Sequence, residues 1–212
     1  YTNLPNLKSD PNTDYDLNQL INSFVNCEKI WIKSYENQLE PIKLRRLKSL
    51  RFVGQSSSIK VQSICDFAFY ECDQIGRIDL RENHINSICE NAFNFRNGND
   101  KQLKINLTDN KLTEDSFALN SLSNFKRPTK LNLIGNDIKY LDEKVFKPFF
   151  GQNQLNEVSV DREKFKENHS GNQWNQSEPK YRIAIIQGTT LFREMAKSAG
   201  ILPDLDYILS LS

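Results

Sequence analysis

A spaced pattern of apolar residues around one asparagine recurs through the middle of the chain and constrains its fold more than any other feature. It first appears complete as Ile78-x-Leu80-x-x-Asn83-x-Ile85. It returns 27 residues later as Ile105-Asn-Leu107-x-x-Asn110-x-Leu112, and 26 residues after that as Leu131-Asn-Leu133-x-x-Asn136-x-Ile138. Val158-Ser-Val160 lies a further 27 residues on, with Arg162-Glu163 where the asparagine belongs. The tails recur too: Ile138, Leu141 and Phe146 reproduce the spacing of Ile85, Ile88 and Phe93. Upstream, "SICDFAF" (63–69) matches "SICENAF" (87–93) at an offset of 24. One such tripeptide alone is an ordinary strand, but three asparagines in register define a repeat.

The spacing has a physical reading. The apolar-x-apolar tripeptide is a very short parallel strand with two side chains in the core and the middle one on the opposite, concave face. At the asparagine the chain turns away, and an inward amide there satisfies backbone groups of neighbouring coils that no sheet ladder reaches. The later Ile/Leu and Phe fill the convex half. One coil cannot bury its own apolar face, so coils must stack and the ends need caps. The expected fold is an α/β solenoid: a short parallel sheet on the concave side, an irregular or helical convex side, and terminal caps.

Earlier coils are degraded. Ile30-Trp-Ile32 has Tyr35 in the asparagine slot, and Leu50-Arg-Phe52 has Gln55 there followed by about four extra residues. The coil at 105–112 departs as well, since Asn110 to Phe117 is seven residues against ten in its neighbours, with "ALNSLSNFKRPTK" making up the loss. Five or six coils are expected over residues 27–161. Residues 1–26 read as an arm and cap, with a short helix at Leu17–Phe24. Residues 162–180 read as a polar linker or exposed loop. "YRIAII" (181–186) is strand-like and "TTLFREMAKSAG" (189–200) helix-like, so 162–212 reads as linker plus a strand-helix cap.

With 28 basic and 27 acidic side chains the chain is close to neutral, which speaks against a nucleic-acid groove or a polybasic membrane contact. No apolar run approaches the roughly 20 residues that span a bilayer. The chain starts at Tyr1 rather than Met, which fits a mature form whose leader was removed, or a shortened chain. The cysteines, Cys27, Cys65, Cys72 and Cys89, form no C-x-x-C, and with two histidines they do not read as a zinc site. Cys65 and Cys89 fall in equivalent slots of adjacent coils and are candidates to pair. Cys27 with Cys65 and Cys72 with Cys89 is another set, and buried thiols are a third reading. Three sequons begin at Asn106, Asn168 and Asn175; with the even cysteine count they favour a secreted protein.

Catalytic chemistry is not evident. His84 and His169 belong to no motif with a nucleophile or carboxylate, and Gly188-Thr-Thr lacks the rest of a phosphate loop. No metal or cofactor is implied. What remains is a surface. The concave slots hold Arg77, Asp79 and Arg81; Lys104, Asn106 and Thr108; Lys130, Asn132 and Ile134; then Glu157, Ser159 and Asp161. They are polar, with a basic bias along Arg77, Lys104 and Lys130, and a protein-binding concave face is the usual use of such a row. A glycan on Asn106 would stand in its middle, so either that asparagine is unmodified or partners bind elsewhere.

Residues 27–161 resemble the extracellular leucine-rich repeat family, and "F-x-x-C-x-x-I…I-D-L-x-x-N-x-I-x-x-I-x-x-x-A-F" (69–93) looks like secreted arthropod members, including proteins similar to the non-catalytic subunit of shrimp luciferase. The usual cysteine-rich caps are missing. The Asn/Lys-rich bias suits an AT-rich arthropod genome such as a mite's, and with it a secreted, allergenic protein. The resemblance implies a protein without catalytic motifs that acts as a partner: a secreted protein-binding or accessory module. The competing readings are a glycan- or lipid-binding pattern receptor of innate immunity and the regulatory subunit of a secreted enzyme.

Overall fold

Short parallel strands recur once per coil and hydrogen-bond to the coil before and the coil after. In the computed structural model the described residues are 2–3, 28–32, 38–39, 41–52, 60–97, 100–125, 127–176 and 181–186. The main sheet runs β1 (Thr2–Asn3), β2 (Lys29–Ile32), β4 (Ser49–Phe52), β6 (Arg77–Asp79), β8 (Leu103–Asn106), β9 (Thr129–Asn132), β10 (Glu157–Asp161) and β11 (Arg182–Ile186), in that spatial order and parallel throughout. A second, three-stranded sheet on the other side of the coils joins β3 (Gln38–Leu39), β5 (Ser63–Ile64) and β7 (Ser87–Ile88). Its register sets Ser63 against Ser87, the offset seen between the two "SIC" stretches. A leucine-rich repeat solenoid is therefore the architecture.

The apolar alternation builds its interior. Leu50, Ile78, Leu80, Ile105, Leu107, Leu131, Leu133, Val158 and Val160 are all buried. Each removes apolar surface at about 25 cal/mol per Å², but only because the adjacent coil supplies the other wall.

The asparagines act as the spacing predicts. Asn110 Nδ2 donates to Leu80 O (3.1 Å) in the preceding coil and to Leu107 O and Thr108 O in its own. Its Oδ1 accepts from Ile85 N–H at 3.0 Å. Asn136 repeats this with Leu107 O, Leu133 O and Ile134 O, and accepts from Leu112 N–H. Asn83 does so with Phe52 O, Leu80 O and Arg81 O, accepting from Val61 N–H. The residue before each asparagine, Glu82, Asp109 or Gly135, has a left-handed backbone, with φ of 59°, 54° and 76°. That conformation turns the chain off the sheet, at a cost of order 1 kcal/mol for a residue such as Glu82. At Gly135 a Cβ would overlap the Asp109 carboxylate and lie 2.9 Å from its backbone nitrogen, so two coils close tightly there.

On the convex side an aromatic row runs through the stack: Phe69–Phe93 (5.5 Å between ring centroids), Phe93–Phe125 (6.0 Å) and Phe125–Phe149 (5.4 Å). The expected equivalence of Phe146 with Phe93 does not extend to this row. Phe146 meets Phe117 instead, and Phe149 continues the row. The reason is local. "ALNSLSNF" wraps an extra loop that delivers Phe125, and α1 (Glu143–Gln152), capped by Asp142 on Lys144 N–H, presents Phe146 and Phe149 to different neighbours.

Residues 162–176, read as a polar linker or exposed loop, form a largely exposed segment of turns that is anchored to the core at a few points. Phe165 and Asn172 are buried, and Trp174, in the short helix α2 (Gln173–Gln176), packs on the core. Asn172 Oδ1 accepts from Leu141 N–H, its Nδ2 donates to Lys166 O, and Trp174 Nε1 donates to Leu141 O. β11 then pairs with β10 over its whole length, which makes "YRIAII" the strand expected beside Val158-x-Val160. The helices read at Leu17–Phe24 and 189–200, and Cys27, lie outside the described residues.

Replacing Asn110 by Ala leaves Ile85 N–H and Leu80 O without their side-chain partner inside the stack. Because an unsatisfied buried backbone group costs about 1–3 kcal/mol, Asn110→Ala should lose about 3 kcal/mol in urea denaturation, whereas Asn168→Ala, at an exposed turn, should lose almost none.

Candidate functional site: the concave sheet face

The strand register places the outward side chains in rows. One row runs Lys29, Ser49, Arg77, Lys104, Lys130, Glu157 and Arg182. The next runs Arg51, Asp79, Asn106, Asn132, Ser159 and Ala184. Arg81, Thr108 and Ile134, beyond the ends of their strands, and Asp161, the last residue of β10, follow in the same succession of coils. The twelve residues expected on this face from their spacing fall in these rows, but they are not equally accessible. Arg77, Asn106, Lys130 and Asn132 are half-buried and Lys104 is exposed, whereas Asp79, Arg81 and Ile134 are buried.

Asp79 organises the amino-terminal half. Its side chain is wholly buried, and its Oδ2 lies 3.2 Å from Arg81 Nη2, 3.4 Å from Arg77 Nη2 and 3.7 Å from Arg51 Nε. A carboxylate at this depth is sustained only by opposite charge close by. One acidic group thus gathers three guanidinium groups from two adjacent strands and the turn that follows. Further along, Glu157 bridges Lys130 (3.5 Å) and Arg182 (3.3 Å) across three strands. Asp161 accepts from the Gly135 N–H; burial holds its carboxyl above the usual range, and that hydrogen bond opposes the shift. Asn106 Oδ1 accepts from Thr108 N–H and Thr108 Oγ1, and Asn132 Oδ1 from Ile134 N–H. Arg51 and Arg182 were not legible as members of the face. Arg51 stands in a coil whose asparagine is lost and Arg182 in a strand read as a cap, though the alternation of Leu50-Arg-Phe52 carries the signal for the first.

The remaining candidates fall elsewhere. His84 lies beside Lys60 and Lys111, and burial first, then those charges, lowers its pKa. His169 stacks on Tyr140 at 4.5 Å and accepts from Gly171 N–H through Nδ1. Neither meets a nucleophile in these contacts. Among the described residues no group of three His, Cys, Asp or Glu side chains converges as metal ligands do. Asn168 is exposed in a turn, Asn106 sits within the concave rows, and the Asn175 side chain lies outside what is described.

Cys65 and Cys89 do occupy equivalent slots, directly after β5 and β7, with Cys89 N–H donating to Ile64 O. No disulfide joins Cys65, Cys72 or Cys89 in this structure, which agrees with the third of the readings that the sequence leaves open. Cys72 is buried, and its Sγ donates to Ile42 O at 3.4 Å. Burial pushes this thiol up to about 12. The thiolate is the nucleophile, so at pH 8.5 Cys72 in the folded chain is held as the unreactive thiol. Brief iodoacetamide treatment at that pH should alkylate Cys72 only in the unfolded protein, read by peptide mass mapping. Equal labelling of Cys72 in both states would contradict its burial.

This geometry defines a leucine-rich repeat protein with polar, in-register rows on its concave sheet face. The family pattern for the BspA type leucine rich repeat region matches residues 52–158, in six copies. The chain belongs to that family. No curated protein matches it.

Proposed function

We propose that the chain is a secreted, non-catalytic leucine-rich repeat module that binds a partner protein through its concave sheet face and serves as an accessory to it. The observation that carries this reading is the set of in-register polar rows, Arg77–Lys104–Lys130 above all, held on a backbone whose turns are fixed by the buried asparagines. A preorganised surface loses little conformational entropy on binding, which suits recognition of another macromolecule. Repeat solenoids in general supply such extended surfaces. Secretion is supported by the sequon at Asn168, where a glycan would project from an exposed turn away from the concave rows.

Affinity capture with the full chain from the native secretion, followed by mass spectrometry, tests the reading. It predicts one protein recovered at near-stoichiometric amount. Recovery of a glycan or lipid alone would favour the pattern-receptor alternative. Turnover of a substrate by the isolated chain, with no protein captured, would overturn the accessory role.

A further inference from the structure

We infer that the amino-terminal half of the concave face takes a short acidic segment of the partner protein, which extends the protein-binding reading above by specifying the chemistry of the ligand. The chain as a whole is balanced, with 28 basic against 27 acidic side chains. The face is not. From β4 to β9 its outward strand positions carry Arg51, Arg77, Lys104 and Lys130 against the single carboxylate of Asp79. The basic groups are also the accessible ones. Arg51, Arg77 and Lys130 side chains are 35%, 43% and 40% exposed and Lys104 is exposed, while Asp79 is wholly buried.

Asp79 is a positioning residue in this arrangement. Being buried, it adds no accessible negative surface; its carboxylate, 3.2–3.7 Å from three guanidinium groups, fixes where they stand. An arginine held in place loses less side-chain entropy when it meets a carboxylate, and its planar fork matches that group. The length of the site follows from the sheet. Arg51, Arg77, Lys104 and Lys130 lie on four successive strands, which at parallel-strand spacing spans roughly 14 Å. An extended chain covers that distance with about four or five residues. A longer polyanion running toward β10 would meet the Glu157 carboxylate, which competes with it for Lys130 and Arg182. The combination favours a short acidic peptide over a nucleic acid or an extended sulfated glycan.

The experiment uses the full chain and a fluorescein-labelled hexaglutamate peptide, followed by fluorescence anisotropy at low and physiological salt. Saturable binding is expected, weakened at least tenfold by the double substitution Arg77→Glu/Lys104→Glu and at least threefold by the milder Arg77→Gln/Lys104→Gln. Lys166→Glu, exposed on the segment after β10, should change it less than twofold. Circular dichroism of each variant identifies any that fail to fold, and the milder pair carries the test if the reversed pair does. Absence of binding by the unmodified chain, or an equal loss with Lys166→Glu, would overturn the inference. So would tighter binding of a heparin-type oligosaccharide that the same substitutions abolish. Should a captured partner stay bound to the double variant, the acidic-segment inference fails while the protein-binding reading stands. Hexaglutamate binding that is sensitive to the substitutions, with no partner captured, is the reverse case.

Discussion

The structure depends on a buried amide used three times. Asn83, Asn110 and Asn136 each stand where the chain leaves the sheet and its backbone groups lose their ladder partners. Besides two carbonyls of its own coil, each partners two backbone groups of the preceding coil: a carbonyl, taken by Nδ2, and an N–H, taken by Oδ1. Aspartate has the same shape but no donor, and leucine has neither function. An amide at this depth is therefore required by backbone satisfaction rather than by packing. Because each asparagine reaches the coil before it, the rows of the concave face inherit their alignment from the interior.

That dependence explains which parts of the fold were legible in the sequence. The strand core and the asparagine recur because every coil solves the same problem at the same depth. The convex side solves a looser one, with any chain path acceptable that returns an aromatic ring to the stack. Phe125 arrives there by a loop and Phe149 by a helix, so spacing counted from the asparagine pointed to Phe146 instead. The anchoring of residues 162–176 to the core was not legible for a related reason. Their composition is polar, and the few groups that anchor them, Phe165, Asn172 and Trp174, make contacts that depend on the preceding coil. The candidate face was legible as positions but not as accessibility. Nothing in "RIDLRE" says that Asp79 and Arg81 are buried while Arg77 stays half-open. Spacing likewise put Cys65 and Cys89 in one slot without setting the distance between their sulfurs.

Charge on the face is arranged around two acids with different roles. Asp79 collects three arginines beneath the surface, whereas Glu157 bridges a lysine and an arginine near the carboxy-terminal end. The basic excess therefore concentrates toward β4, β6 and β8, on strands whose spacing the solenoid fixes. Such a surface discriminates by charge pattern and position more than by hydrophobic area, and its association rate should fall with ionic strength.

The central claim is that the asparagine amides hold the stack, and amide hydrogen exchange by NMR on the folded chain tests it most directly. The N–H groups of Val61, Ile85 and Leu112 lie outside the sheet ladders and donate to the Oδ1 of Asn83, Asn110 and Asn136. They should exchange as slowly as the strand amides of β6 and β8, opening only when the whole solenoid unfolds. Exchange of all three at the rate of exposed turn amides such as that of Asn168 would contradict the account.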